Sequence, residues 1–461
     1  MKLTSSFRDP SGFMFHQDGV LYRQVNQSYQ EDYDLLMESG LYQHLSSARA
    51  LISHEECSLD IAPVPGLAYK VLKPEPIPFV SYPYEWCFDQ LKDAAVLTLS
   101  IARRALQYGM ILKDASAFNV QFKNGRPIFI DTLSFERYLP GAPWIAYKQF
   151  CQHFLAPLTL MAKVDIRLNQ LLRVYIDGIP LDLTSSLLPK GSLLNPGLLS
   201  HIHLHAKTQQ KYADMALPEE QVSGKMTRNA LLGLLDSLLS AVRSLKLKAQ
   251  KTEWENYYEQ TNYARASFEA KREKVSAFIL RVSPRSVWDL GANTGEFSRA
   301  ASSAGIPTIA LDIDHAAVQR NYALVKQNQE AQLLPLCMDL TNPSPALGWN
   351  CAERMSLLER GPVDMVMALA LVHHLAISNN IPLENLAAFF AGLGHWLIVE
   401  FIPKSDSQVK RLLSSRRDIF PDYTEAGFKK AFGAHFEILE EAPIAGSERI
   451  LFLMERKQKL S

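Results

Sequence analysis

Apolar positions change their period along this chain of 461 residues. From Asn229 to Lys251 leucines recur at helical spacing (NALLGLLDSLLSAVRSLKLKAQK), and the segment closes on basic residues, as a helix C-terminus prefers. Beyond Arg285 the pattern becomes an alternation. SVWDL, TIALDI, QLLPLCMDL, VDMVMALAL and HWLIVEFI read as strands, with GEFSRAASSA, HAAVQRNYALVKQN and ENLAAFFAGL between them as helices. A further helix and a hairpin, HFEILEEAP with SERILFLMER, close the chain. Strands alternating with helices predict a mainly parallel, doubly wound α/β sheet that binds ligands at the carboxyl ends of its strands.

The pattern before residue 225 is mixed. GFMFHQDGVLYRQV predicts a hairpin around Asp18-Gly19, and LKDAAVLTLSIARRALQYG a helix. ILKDASAFNVQF and NGRPIFIDTLSFE read as two short strands joined by a turn, and residues 140 to 250 as largely helical. The expected organisation is therefore an α+β domain over 1–225, a helical linker over 226–250 and an α/β domain over 251–461. HIHLHAK (His201, His203, His205) alternates like the polar face of a strand, and with no cysteine or carboxylate beside it no metal site is expected there.

Composition narrows the function classes. Lys plus Arg and Asp plus Glu balance at 48 each, so nothing in the net charge suggests a coat for nucleic acid or an anionic membrane. Cys57, Cys87, Cys151, Cys337 and Cys351 are dispersed without a C-x-x-C pair, as expected of reduced thiols in a cytoplasmic protein. The start of the chain lacks a signal-peptide core, and no run approaches the roughly 18 apolar residues of a membrane span.

VWDLGANTGEFSRAASSAG, Val287 to Gly305, is a strand, a tight turn and a helix. Gly291 and Gly295 let a ligand approach the backbone, and the free N–H groups of a helix start favour an anionic group. Asp312 ends the next strand, where a carboxylate can accept both hydrogen bonds of a ribose diol, and Asp339 ends the third, where it can meet an adenine amino group. Asn293 and Glu296 stand where a dinucleotide fingerprint needs its later glycines, which disfavours NAD.

With these residues in register, the stretch from about 254 to 461 resembles a class I S-adenosylmethionine-dependent methyltransferase. DLGANTG resembles that family's first motif, with Asn293 in place of its middle glycine; ALDID, MDL and DMVMALALVHHL resemble the second, third and fourth. The resemblance implies that Asp289, Gly291, Asn293 and Gly295 hold the methionine end of the cofactor, Asp312 the ribose and Asp339 the adenine. Ala368, Leu369 and the residues to Leu371 would lie beside the reacting methyl. His373 and His374 are the candidate catalytic bases, or packing residues at a helix start. WENYYEQTNY offers Tyr258 or Tyr263 as a cover over the cofactor, or an amphipathic helix on the sheet edge. Asn342 to Pro345 (NPSP) follows the third strand rather than the fourth and reads as a rigid loop near the adenine, and Glu400 as a rim charge or a residue facing the acceptor pocket.

In the front part, Asp114 and Asn119 match the D-x-x-x-x-N of kinase catalytic loops, and Asp131 sits where a second metal ligand would fall. This resembles a kinase-like or aminoglycoside-phosphotransferase-like domain and would imply ATP and Mg. Leu112-Lys113-Asp114 and Asp131-Thr132-Leu133 depart from H-R-D and D-F-G, and only Arg23 or Lys70 offers a phosphate partner. An Asp-Asn pair capping a tight turn, or a kinase-shaped module without catalysis, explains the same residues.

As a whole the chain is similar to bacterial two-part methyltransferases of nodulation type, whose front ends carry phrases like SGFMFHQDGVLYRQVN and IFIDTLSFE. The implied activity is methyl transfer to an oxygen or nitrogen of a small molecule or glycan, with the front module recognising the acceptor. A bifunctional kinase-methyltransferase of a sugar-type acceptor and a non-catalytic nucleotide sensor are the alternatives.

Overall fold

The computed structural model describes residues 2–212, 226–247, 265–414 and 417–458. The chain forms two compact units: Met1–Gln250 with Ala346–Arg354, and Lys251–Pro345 with Met355–Ser461. No helix among the described residues is long and apolar enough to cross a membrane.

In the first unit, Asp18 and Gly19 both take positive φ (51° and 77°) and turn β1 (Gly12–Gln17) into β2 (Val20–Asn26). β3 (His54–Cys57) and β4 (Ala68–Pro74) complete an antiparallel sheet in the order β1-β2-β4-β3. The helix Phe88–Gln107 buries Leu91, Ala95, Leu99, Ala102 and Leu106, a stripe at helical spacing. After it the expected pair of strands is four. β5 (Met110–Leu112) pairs with β8 (Phe135–Arg137), and β6 (Val120–Lys123) with β7 (Arg126–Phe129). The breaks are local. Ser116 Oγ accepts the Phe118 N–H and Asp131 accepts the Leu133 N–H, each capping a short 3₁₀ turn that competes with the strand ladder.

The leucine-rich segment is a helix, Arg228–Ser244, capped by Thr227 Oγ1 accepting the Ala230 N–H. It buries Leu231, Leu235, Leu238 and Val242 and packs on Phe88–Gln107. HIHLHAK departs from the strand reading: residues 199–204 form a π-helical turn that runs into the helix His205–Tyr212. Pro196 in the first turn, with Asn195 Oδ1 accepting the Leu198 N–H, starts the helical backbone ahead of it. His201 and His203 are thereby buried rather than solvated. His201 bonds Tyr147 and Ser237 (both 2.8 Å), and His203 bonds Ser185 (2.7 Å) and Ser192 (2.8 Å).

The second unit is the doubly wound α/β fold that the alternation predicts. β9 (Val287–Leu290), β10 (Thr308–Asp312), β11 (Leu333–Cys337), β12 (Val363–Ala368) and β13 (Gly394–Phe401) are parallel. β14 (Phe436–Pro443) and β15 (Ile450–Arg456) add an antiparallel hairpin, giving the order β11-β10-β9-β12-β13-β15-β14. Strand order reverses between β9 and β12, which makes the crevice above their carboxyl ends the place for a ligand. Val287, Met365, Met367, Ile398, Leu451 and Leu453 form the core on one face, against Val275, Phe278 and Ile279 of the helix Arg265–Val282.

Candidate functional site

A cavity of about 390 Å³ opens above the carboxyl edge of the second unit's sheet. β9 delivers Asp289 to it, and the chain then turns through Gly291 (φ 76°), Asn293 (φ 49°) and Gly295 (φ 81°) before the helix Ser298–Ser302. A side chain at Gly291 would press on Leu371 (Cβ 3.2 Å from its Cδ1), and one at Gly295 would overlap the Asn321 amide at 2.4 Å. Both positions need glycine for conformation as well as space. Asn293 tolerates the left-handed region that a bulkier residue resists. Asp289, Gly291, Asn293, Asp312, Asp339 and Leu369 line the cavity together. Gly295 and Ala368 do not. Gly295 faces Asn321 and shapes the turn, while Ala368 is fully buried in β12. Asn342 to Pro345 also stays off the cavity, with the Ser344 N–H folded back onto Met338 Sδ. Tyr258 and Tyr263 lie outside the described residues.

Asp312 is fixed by the loops around it: Asn293 N–H donates to Oδ2 (2.7 Å) and Asp314 N–H to Oδ1 (2.8 Å). Burial nevertheless pushes its carboxyl up to about 6. Burial likewise lifts Asp289 to about 7, although Ser298 Oγ donates to it at 2.6 Å. Beside these acids, Ile313 is 60% exposed and lines the cavity, as does Leu340, so apolar surface adjoins the carboxylates. Asp339 is held by Thr341, through its N–H (2.8 Å) and its hydroxyl (2.6 Å).

Sequence reasoning missed a buried charge cluster on the other side. Lys271 Nζ donates to Glu400 Oε2 at 2.6 Å, Arg449 Nη1 lies 3.6 Å from Glu400 Oε1, and Arg449 Nε donates to Asp406 at 2.8 Å. The Glu400 side chain is fully buried, so it is no rim charge: β13 carries it inward, where it also accepts the Ala370 N–H at 2.7 Å. Lys271 and Arg449 line the cavity, and burial draws the Lys271 ammonium pKa down against the opposing pull of Glu400. A signal existed. Lys271 falls on the stripe Ser267, Val275, Phe278 that buries the helix, and Glu400 interrupts the apolar run from Trp396 to Ile402.

The paired histidines separate. His374 lines the cavity; His373 sits beneath it at 1% exposure, with neither ring nitrogen hydrogen-bonded among the described residues. The π-helical turn His374–Ser378 starts there and aims only the second ring outward. Burial lowers His374 to about 4 and takes His373 well below the usual range. His373 is thus buried outside the cavity lining.

In the first unit, Asp114, Asn119 and Asp131 lie near one another, but Asp131 is engaged. Its carboxylate bonds Arg23 and Ser134 and accepts the Leu133 N–H at 3.2 Å. Burial would raise its pKa, and Arg23 with Ser134 brings it below the ordinary value. Asn119 Nδ2 donates to Ser134 (3.2 Å), Asp114 accepts the Ser116 N–H (2.9 Å), and Lys70 pairs with Glu56 (2.6 Å). Arg23, the candidate phosphate partner, is thus committed to the candidate metal ligand. No group of three His, Cys, Asp or Glu side chains placed to hold a metal ion occurs among the described residues.

No family model matches the chain. It is 34% identical over 462 residues to the nodulation protein NoeA of Rhizobium meliloti strain 1021, across 99% of this chain and 96% of that protein. Among solved structures, the magnesium protoporphyrin IX methyltransferase ChlM of Synechocystis PCC 6803 with bound SAH is 20% identical, covering 43% of this chain and 89% of that one at a TM-score of 0.32. A SAM dependent methyltransferase from Aquifex aeolicus is 14% identical over 45% of this chain and 100% of its own, with a TM-score of 0.31. The bifunctional kinase-methyltransferase WbdD is 16% identical, covering 43% of this chain and 42% of that one at a TM-score of 0.29.

Proposed function

Since this chain belongs to the family of the nodulation protein NoeA, we propose that its second unit is an S-adenosylmethionine-dependent methyltransferase acting on an oxygen or nitrogen of a small-molecule or glycan acceptor. The observation that carries this reading is the convergence, in one cavity at the strand switch point, of Asp289, the Gly291 turn, Asp312 with Ile313, and Asp339 with Leu340. The donor set fits the cofactor. Asp312 would accept from the ribose hydroxyls, Ile313 and Leu340 would sandwich the adenine, and Asp339 would meet its amino group. Asp289 would hold the ammonium of the methionine end, and the open backbone at Gly291 leaves the approach clear. The bound cofactor supplies a methyl group already activated on a sulfonium, so the chain's main task is to hold the acceptor in line with it. His374 faces the cavity and is neutral above about pH 4. A base this weak lies far from the working range for deprotonating a hydroxyl.

Protonation gives the test. A carboxyl lifted to about 7 is half protonated at neutral pH and must release its proton to hold a cation. Binding of S-adenosylhomocysteine is expected to tighten from pH 5 to pH 8 and to release protons near pH 6.5, read by calorimetry in buffers of different ionisation enthalpy. Asp289→Asn should remove most of that release, leaving the smaller share of Asp312. The sign for the ligand-free fold is opposite. A raised carboxyl pKa stabilises below the ordinary value of 3.8, and that stability is lost as pH rises through about 6 for Asp312 and 7 for Asp289. The ligand-free melting temperature should therefore fall over that window and recover with ligand. No binding of either adenosyl ligand at any pH would overturn the reading.

The first unit serves recognition in this proposal rather than phosphoryl transfer, a reading supported by the engagement of Asp131 with Arg23 and Ser134. Calorimetric titration with ATP and Mg is expected to show no binding that depends on Asp131. Binding abolished by Asp131→Ala would reinstate the kinase alternative.

A further inference from the structure

The sheet order serves as a map of the cavity. Its three lining carboxylates, Asp289, Asp312 and Asp339, stand in or just beyond β9, β10 and β11, on one side of the switch point. Past β12 the charged lining changes sign, beginning with Lys271, which is close enough to Asp289 for the two charges to act on each other. Lys271 reaches Glu400 near the end of β13, Arg449 stands just before β15, and Arg411 lies on the helix Ser407–Leu413 that follows β13. Gln408, from the same helix, lines the cavity three residues before Arg411. The carboxylates that balance this side, Glu400 and Asp406, are not in the lining. A neutral sugar hydroxyl would gain little from two cations whose side chains are 5% and 6% exposed, whereas an anionic oxygen gains charge-assisted hydrogen bonds.

We propose that the methyl acceptor carries an anionic group, a carboxylate or a phosphate, seated between Lys271, Arg449 and Arg411 above β13 and β15. The role of acceptor rests on the methyltransferase reading, but the seat can be tested separately. Charge also fits the weak base at His374: a carboxylate needs no deprotonation before its oxygen attacks the methyl carbon. The oxygen-carbon bond forms as the carbon-sulfur bond breaks, and the thioether leaves with the sulfur electron pair. A phosphate instead anchors an acceptor that reacts through another atom.

The experiment uses the full chain, with and without saturating S-adenosylhomocysteine, melted in acetate, in inorganic phosphate and in chloride at equal ionic strength. S-adenosylhomocysteine carries its own carboxylate, so what added anions find in the loaded protein is the acceptor side. The expected result is a rise of about 2–4 °C over chloride in the wild type that Arg411→Ala loses. Acetate alone raising the melt assigns carboxylate acceptors; phosphate alone assigns phosphorylated ones. Arg411 is exposed on a surface helix, so the variant's own melt in chloride checks its folding. No rise over chloride in the wild type, or an equal rise in Arg411→Ala, overturns the seat. Failure of S-adenosylhomocysteine to bind would overturn the methyltransferase reading instead, while the unloaded arm still decides the seat.

Discussion

Asp312→Ala is expected to abolish measurable binding of adenosyl ligands while leaving a folded protein. The carboxylate is oriented in advance by the N–H groups of Asn293 and Asp314, so a ribose diol meets it with little reorganisation. Two hydrogen bonds to a charged acceptor contribute about 1.5–3 kcal/mol each. Losing both weakens the complex by roughly a hundredfold to twenty-thousandfold. Asp312→Asn keeps one acceptor oxygen and should fall between. Stability should change much less, because burial already disfavours the charged form of this carboxyl. Calorimetric titration with S-adenosylhomocysteine, beside a thermal melt, reads both. Unaltered affinity in the alanine variant would remove Asp312 from the cofactor site.

Glu400→Ala carries the second large effect, this time on the fold. The carboxylate joins Lys271, Arg449 and the Ala370 N–H, and Ala370 itself sits at a φ of 50° that an alanine adopts only when held. Truncation leaves a buried ammonium without its partner, a change that typically costs about 3–5 kcal/mol. At about 2–4 °C per kcal/mol the melt should fall by roughly 6–20 °C. Lys271→Met combined with Glu400→Leu removes both charges and should recover most of that loss, since an apolar pair of similar volume often replaces a buried ion pair without penalty. A Glu400→Ala melt within a degree of the wild type would show that water reaches the cluster.

What was legible in the sequence was local. Strand-turn-helix alternation, the positive-φ glycines at 291 and 295, and carboxylates at successive strand ends are encoded within a few residues of one another, and the sheet places most of them on one cavity. Illegible were partnerships across distance and the aim of a ring. Lys271 and Glu400 are 129 residues apart and meet only because β13 is laid beside β12. His373 and His374 are adjacent in sequence, and only the π-helical turn decides which faces the cavity. HIHLHAK has the alternation of a strand, yet the Asn195–Pro196 start upstream commits it to a helix.

The succession of strands across the sheet also has an evolutionary and engineering consequence. The acidic side of the cavity is written between residues 289 and 339, and most of the other side between 371 and 449, so the two can be exchanged independently. A chimera that keeps everything through β12 and takes its last fifth from a relative should inherit the first parent's grip on the nucleoside and the second parent's choice of acceptor. Position 271, which reaches forward from an earlier helix, would have to be matched to the incoming residue at 400.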